Sequence, residues 1–392
     1  MINGFDYSKY LKTKKIVASF FAEKINFIKR EENIISKIFD IKLEFISIIN
    51  TNFEKEEAEV LKAILLGEKE NINDKTSQIF SKSNLSHILA ISGLHITYIC
   101  LYIEGILRRI INNTKLRNCF MVMFLIIFII LVGGSPSAMR ACIMMIITYI
   151  GKNLLKEKDF YISFVVSFFI ILLINPYNIY SISMWLSFLG SLGIVLFSNF
   201  IQKVLVKKFN IKSKIAKKVL EIIVVSSSAQ ILIFPVMWKN FGTLSFSFWI
   251  SNLLVSELVA PILILGYISI LIFPIRKVIV FVERIILKLF LELVLIASKI
   301  PFNQIYLPSP SNFTILVYYL FIFFLITFYK LHKINVLKCI LSIKYVKKQI
   351  KLHKKIVKSF VIVLIIFICI SQVFYFTPKN LRINFLDVRS RG

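Results

Sequence analysis

A succession of apolar runs, each close to the length that crosses a bilayer, constrains this chain more than anything else in it. The runs fall at 86–106, 118–133, 137–151, 160–175, 179–199, 219–238, 244–273, 278–299, 313–330 and 357–376. A hydrocarbon core about 30 Å thick takes roughly 20 helical residues to cross. Backbone in lipid has no water to bond, so such runs must fold as helices. The pattern predicts an all-α polytopic integral membrane protein of roughly 9–10 transmembrane or re-entrant helices, with a small mixed N-terminal extracytoplasmic segment. Composition agrees: 57% of residues are hydrophobic and the mean hydropathy is +0.77. The run 244–273 is too long for one straight span and contains Asn252, Glu257 and Pro261, which reads as a broken or re-entrant helix. The run 278–299 carries Glu283, Arg284, Lys288 and Glu292, so crossing the membrane and lying in its interface both remain open.

Residues 1–80 are mixed in polarity, and no secretory signal opens them. Within them, NFEKEEAEVLKAILLG at 52–67 predicts an amphipathic helix stopped by Gly67. The net charge of +28, from 49 Lys+Arg against 21 Asp+Glu, is largely what cytoplasmic loops of membrane proteins carry. Lys203, Lys207, Lys208, Lys212, Lys214, Lys217 and Lys218 crowd 200–218, and 331–356 is as basic. Arg108, Arg109, Lys115 and Arg117 mark 107–117, and Lys152, Lys156 and Lys158 mark 152–159. The turns 133–136, 175–179 and 300–312 have almost no charge. The alternation puts the basic loops in the cytoplasm and both chain ends outside. Export of residues 1–80 without a signal reads as a chain that continues a longer polypeptide. Cys100, Cys119, Cys142, Cys339 and Cys369 have neither the pairing nor the spacing of a disulfide framework or zinc site.

Polar groups at the membrane centre cost roughly 2.5–3.5 kcal/mol each when charged, so those present face a partner or a wet cavity. They are Ser92, His95, Arg140, Ser187, Ser226, Ser227, Ser228, Gln230, Asn252 and Glu257. In HILAISGLHITYI, 87–99, Ser92 and Gly93 either let helices approach closely or form a small polar wall. His95 is either a neutral residue bonded to a neighbouring helix or part of that wall. In GGSPSAMRA, 133–141, Ser135 is placed to cap a helix that Pro136 opens. Free N–H groups, the positive helix end and Arg140 would then converge on one anion-attracting spot. The alternative for Arg140 is a structural tie to Glu257, and for SSSAQ at 226–230 a small-residue packing face. Ser92 and His95 also have the spacing of a nucleophile and its base, with no orienting acid or oxyanion donor to complete them.

These pieces, in this order, resemble one family. ILAISGLHI at 88–96 resembles the hallmark of the ComEC-type competence proteins, and AEVLKAILLGEKENI at 58–72 the segment ahead of it. GGSPSAMRACIM at 133–144 is similar to the family's proline-serine-arginine element. INPYNIYSISMWLSFLGSLGI at 174–194 resembles its next signature, with Trp185 where the family usually has glutamine. SSAQILIFPVMWKNFGTLSFSFWISNLLVSELVAP at 227–261 resembles the one after that. INGFDYSKYLKTKKI at 2–16 is similar to the end of the family's extracytoplasmic OB-like domain, and LRINFLDV at 381–388 to the first strand of its metallo-β-lactamase-like domain. The closing Arg389, Ser390, Arg391 and Gly392 read as that strand's continuation shifted by one inserted nucleotide.

The resemblance implies four regions: 1–50 a remnant of the OB-like domain, 51–335 the channel domain, 336–376 a basic loop and last span, and 377–392 the truncated start of the metallo-β-lactamase-like domain. It implies an inner (plasma) membrane channel for a single DNA strand in natural transformation, in a form without the nuclease-like domain, and hence no enzyme. No metal cluster, cofactor or Walker-type loop is expected. A strand needs a wet, polar, partly positive path. The candidate lining is Ser92, Gly93 and His95, then Pro136 and Arg140 toward the phosphates, then Ser187, Gln230, Asn252 and Glu257. The loop 200–218 would receive the strand. Implied partners are single-stranded DNA and membrane lipid, with a DNA receptor, a cytoplasmic helicase or motor, a separate nuclease and a second copy of the chain as further candidates. Two other readings stay open: a secondary transporter for a small anionic solute, and an intramembrane hydrolase built on Ser92 and His95.

Overall fold

The computed structural model describes residues 11–13, 16, 32–154, 159–210, 212–244, 247–300 and 305–339. The expected span 357–376 and the segments 2–10 and 381–392 lie outside the described residues.

The apolar runs fold as helices, and short polar side chains set where they begin. In chain order these are α1 (Ile34–Asn52), α2 (Lys55–Leu66), α3 (Asp74–Lys82), α4 (Gly93–Ile110), α5 (Thr114–Leu131), α6 (Pro136–Asn153), α7 (Phe160–Ile174), α8 (Ile182–Phe209), α9 (Lys214–Phe241), α10 (Phe248–Leu271), α11 (Arg276–Ser298) and α12 (Asn312–Cys339). Asn113 Oδ1 accepts from the backbone N of Lys115 at 2.9 Å and of Leu116 at 3.2 Å, which starts α5. Asp159 Oδ1 does the same for α7 with Tyr161 and Ile162, at 2.7 and 3.2 Å. Such caps take up N–H groups that have no partner inside the helix. Apart from helices the described residues contain one short antiparallel pair, β1 (Thr243–Leu244) with β2 (Ile305–Tyr306). The fold is all-α. Among the described residues α5, α8, α9 and α10 are long and apolar enough to cross a membrane, and α7 and Asn312–Thr327 are shorter apolar helices. The chain is a polytopic membrane protein.

Three expectations are corrected. The run 86–106 is not helical throughout: 86–89 form turns, 90–92 are irregular, and α4 starts only at Gly93. The run 244–273 is not broken. Gly242, with φ of +63°, follows the end of α9, and β1 uses the next two residues. What remains is one unbroken helix, α10, with Pro261 inside it. Its polar residues bond sideways instead of interrupting the backbone. The third is α2, which is not amphipathic: every residue from Glu57 to Leu66 is buried.

That burial makes α2 the centre of the core. Leu61, Ile64 and Leu65 join Phe80, Leu125, Ile262, Leu263 and Phe290 in one apolar cluster. Gly67 ends α2 in the left-handed region with φ of +74°, and a Cβ there would sit 3.2 Å from the Val132 carbonyl oxygen. Tyr267 Oη donates to the Leu65 carbonyl at 2.6 Å, taking one of the free acceptors at the helix end. At the other end Arg284 of α11 binds Glu54 and, through Nε at 3.2 Å, Glu57. α11 lies along α10, with Leu287, Phe290 and Val294 fully buried.

The chain divides into two compact units. Residues 1–236 and 243–306 form the first; residues 237–242 and 307–392 form the second. In the second, Trp238 Nε1 donates to the Pro308 carbonyl at 2.8 Å and Lys239 Nζ to Asn312 Oδ1 at 2.6 Å. The candidate site lies in the first.

Candidate functional site

Ser92 is the residue before α4, and its pairing with His95 closes the first turn. The Ser92 backbone N–H donates to His95 Nδ1 at 3.3 Å, so that nitrogen is an acceptor. The Ser92 hydroxyl lies 2.7 Å from the same nitrogen and donates to it as well. The hydrogen-bond network thus assigns the ring proton to Nε2, as in neutral imidazole. Nε2 is buried and has no hydrogen-bond partner among the described residues. No carboxylate among the described residues orients the ring. The pair is the reciprocal cap of a helix start.

Gly93 brings α4 against α6. A Cβ at Gly93 would lie 3.2 Å from Arg140 Nη2 and 3.9 Å from Ala141 Cβ. Gly133 and Gly134, with φ of +75° and +58°, turn the chain out of α5. Ser135 Oγ then accepts from the Ala138 N–H at 3.4 Å, and Pro136, half-buried, opens α6. One turn on, Arg140 points into the protein and is 8% exposed. Its Nε donates to Ser187 Oγ at 2.8 Å, Nη1 lies 3.6 Å from Met144 Sδ, and the guanidinium sits 5.8 Å from the Phe188 ring centre. No carboxylate among the described residues pairs with it.

The expected tie between Arg140 and Glu257 does not form. Glu257 Oε2 accepts from Lys218 Nζ at 2.8 Å, and both side chains are half-exposed or more. Lys218 stands at the start of α9, directly across from Glu257 on α10. The same two helices are joined again by Asn252 Nδ2 donating to Ser226 Oγ at 3.1 Å and Trp249 Nε1 to Ser227 Oγ at 2.7 Å. Ser228 turns its hydroxyl back to Val224 O at 2.7 Å, and its carbonyl meets α8 where Gly193 leaves room. Gln230 is half-buried within α9, and its side chain makes no hydrogen bond to the described residues.

The candidate residues therefore fall into two groups. Ser92, Gly93, His95, Pro136, Arg140 and Ser187 gather where α4, α6 and α8 begin. Asn252 and Glu257 belong to the seam between α9 and α10, and Gln230 joins neither through a bond. α8 touches both groups, through Ser187 and then through Gly190 and Gly193. Phe188 and Trp249 escaped the sequence reading, because an aromatic beside a polar residue is ordinary at membrane depth. Trp185, in the place of the family's glutamine, donates from Nε1 to the Ile179 carbonyl at 2.7 Å and stays outside both groups.

At the far ends of α4 and α6, Glu104 binds Arg108 at 2.8 Å, Tyr149 Oη at 3.0 Å and Lys152 at 3.8 Å. Asn118 of α5 binds Asn153 at 2.7 Å. So α4 and α6 run parallel, with α5 returning between them in sequence. The ends next to basic loops meet each other, as do the ends next to uncharged turns.

Fold and site together define a polytopic membrane protein with a buried, acid-free arginine among its helix starts. The Competence protein family model matches residues 64–332, more than half of the chain, and the chain belongs to that family. It is 26% identical over 202 residues to ComE operon protein 3 of Bacillus subtilis (strain 168), covering 51% of this chain and 26% of that protein. The matched stretch thus spans about a quarter of that relative's length. No solved structure matches. Family membership agrees with the resemblance drawn from five sequence blocks.

Proposed function

We propose that this chain is the membrane part of a DNA-uptake channel in the plasma membrane, passing a single strand and carrying no hydrolytic chemistry of its own. Arg140 carries the reading. A buried cation normally sits against an acid, because removing charge from water costs more than most contacts return. Among the described residues Arg140 has only a hydroxyl, a thioether and a ring face. A cation kept free of acids inside a membrane protein suits a passing anion, and a DNA strand is a chain of them. The positive end of α6 lies one turn before Arg140. Ser92, Gly93 and His95 supply a small polar wall facing it, and Ser187 holds the guanidinium in place. The cluster is packed in this conformation, so passage requires α4, α6 and α8 to part. A DNA receptor, a motor and a separate nuclease are the partners such a pore needs, and copies of the chain can surround a common path.

The test is uptake of labelled DNA into cells whose only protein of this family is this chain, with and without a supplied nuclease-like domain. Uptake in either condition, lost in Arg140→Ala, supports the channel. Inserted protein with no uptake in both conditions overturns it. Arg140 equally suits a secondary transporter for a small anion. Flux of phosphate into proteoliposomes, unaffected by single-stranded DNA, would select that reading.

A further inference from the structure

The first turns of α9 border a hollow that the proposed channel does not use. It has a volume of about 320 Å³ and lies between α9 and α10. Its walls are apolar, with Val219 and Ile222 from α9 and Leu253 from α10. Its rim is charged, with Lys214, Lys218 and Glu257. Lys218 and Glu257 are bound to each other at 2.8 Å, which cancels their charges. Lys214, one turn before Lys218, has no acid partner among the described residues. The rim is therefore net positive, and it lies where a basic loop enters an apolar helix long enough to cross a membrane.

We propose that this hollow is a binding site for one anionic phospholipid, taken from the leaflet that faces the basic loops. The chemistry divides along the groove. An acyl chain lies against Val219, Ile222 and Leu253, and each buried methylene favours that placement. The phosphate meets Lys214 at the mouth, where anionic headgroups attract lysine side chains. The Lys218–Glu257 pair closes the rim and keeps Glu257 from repelling the headgroup. A lipid of no net charge fits the walls equally well but leaves Lys214 unanswered. A single-stranded nucleic acid answers the lysine but leaves the apolar walls empty, and so fits this hollow worse than a lipid does.

The experiment uses the full chain in nanodiscs of phosphatidylcholine containing a minor fraction of phosphatidylglycerol, with native mass spectrometry of the released protein. The expected result is retention of one phosphatidylglycerol in preference to phosphatidylcholine. Lys214→Gln should weaken that retention about fivefold, on the scale of one surface lysine facing an anionic lipid. Val219→Trp, which fills the hollow and keeps every charge, should also abolish it. Lys207→Gln removes the same charge away from the hollow and should leave retention intact. Equal loss in both lysine variants, or unchanged retention in Val219→Trp, would overturn the site and leave only general attraction of a basic surface. Protection of Lys214 by a single-stranded oligonucleotide, with no lipid retained, would overturn it in favour of the strand.

Discussion

Arg140→Met separates a functional arginine from a structural one, because the two roles predict different changes in stability. Placing arginine at membrane depth costs roughly 2.5–3.5 kcal/mol. Against this stand one charge-assisted hydrogen bond to Ser187, worth about 1.5–3 kcal/mol, and the Phe188 ring face, worth about 0.5–2 kcal/mol. These terms nearly cancel. Methionine has similar length, no charge to desolvate and good contact with Phe188 and Met144. Ser187 can turn its hydroxyl back to its own helix, as Ser191 does with the Phe188 carbonyl at 2.9 Å. The expected change in stability is therefore under about 1.5 kcal/mol, a shift of a few degrees in Tm for a chain of this size. DNA uptake should nevertheless collapse in Arg140→Met and survive in part in Arg140→Lys, which keeps the charge but loses the planar fork. The assay pairs a thermal melt of purified protein in detergent with uptake of labelled DNA at matched membrane levels. A Tm loss of the size seen when a buried ion pair is broken, about 3–5 kcal/mol, would refute the reasoning. So would full uptake in Arg140→Met.

Three further predictions rest on separate contacts. A Cβ at Gly193 would lie 2.4 Å from the Ser228 carbonyl oxygen, which is backbone, whereas one at Gly190 would meet only the Ile233 side chain at 3.0 Å. Gly193→Ala should therefore lower the melting temperature by the equivalent of about 1–3 kcal/mol and Gly190→Ala by clearly less; equal effects would show that α8 and α9 do not cross as closely as described. Glu283 is fully buried, and both its carboxyl oxygens lack a hydrogen-bond partner among the described residues. Glu283→Leu should raise stability by about 1–3 kcal/mol, read in the same melt, and a fall would mean that the carboxyl has a partner. Single cysteines placed at Tyr177 and Lys207 should label from opposite sides of the membrane with an impermeant reagent, Tyr177 from outside; labelling from the same side would contradict the alternation of basic and uncharged loops.

Much of the architecture was legible as a string of residues. Length and hydropathy of each run predicted the helices from α5 to α12, because a backbone in lipid has no alternative to bonding itself. The cap chemistry of Ser135 and Pro136 was equally plain, since both act within one turn. Errors came where the local pattern pointed one way and packing the other. KEEAEVLKAILL reads as amphipathic, yet α2 is buried on every side, because Arg284 reaches Glu54 and Glu57 from a helix more than 200 residues away. Asn252 and Glu257 look like a break in a span, yet α9 supplies their partners and the helix runs on.

The sequence by itself determined that this is an all-α membrane protein of the Competence family, with polar residues set into its spans at particular positions. Those properties rest on hydrophobicity and short-range bonding, which act along the chain. Which polar residues share a site was decided only by the tertiary structure. Arg140 meets Ser187 and Gly93 instead of Glu257 because partner choice depends on which helices are neighbours and on their register. Both follow from packing the whole core around α2, where contacts between distant residues outweigh what any one segment prefers.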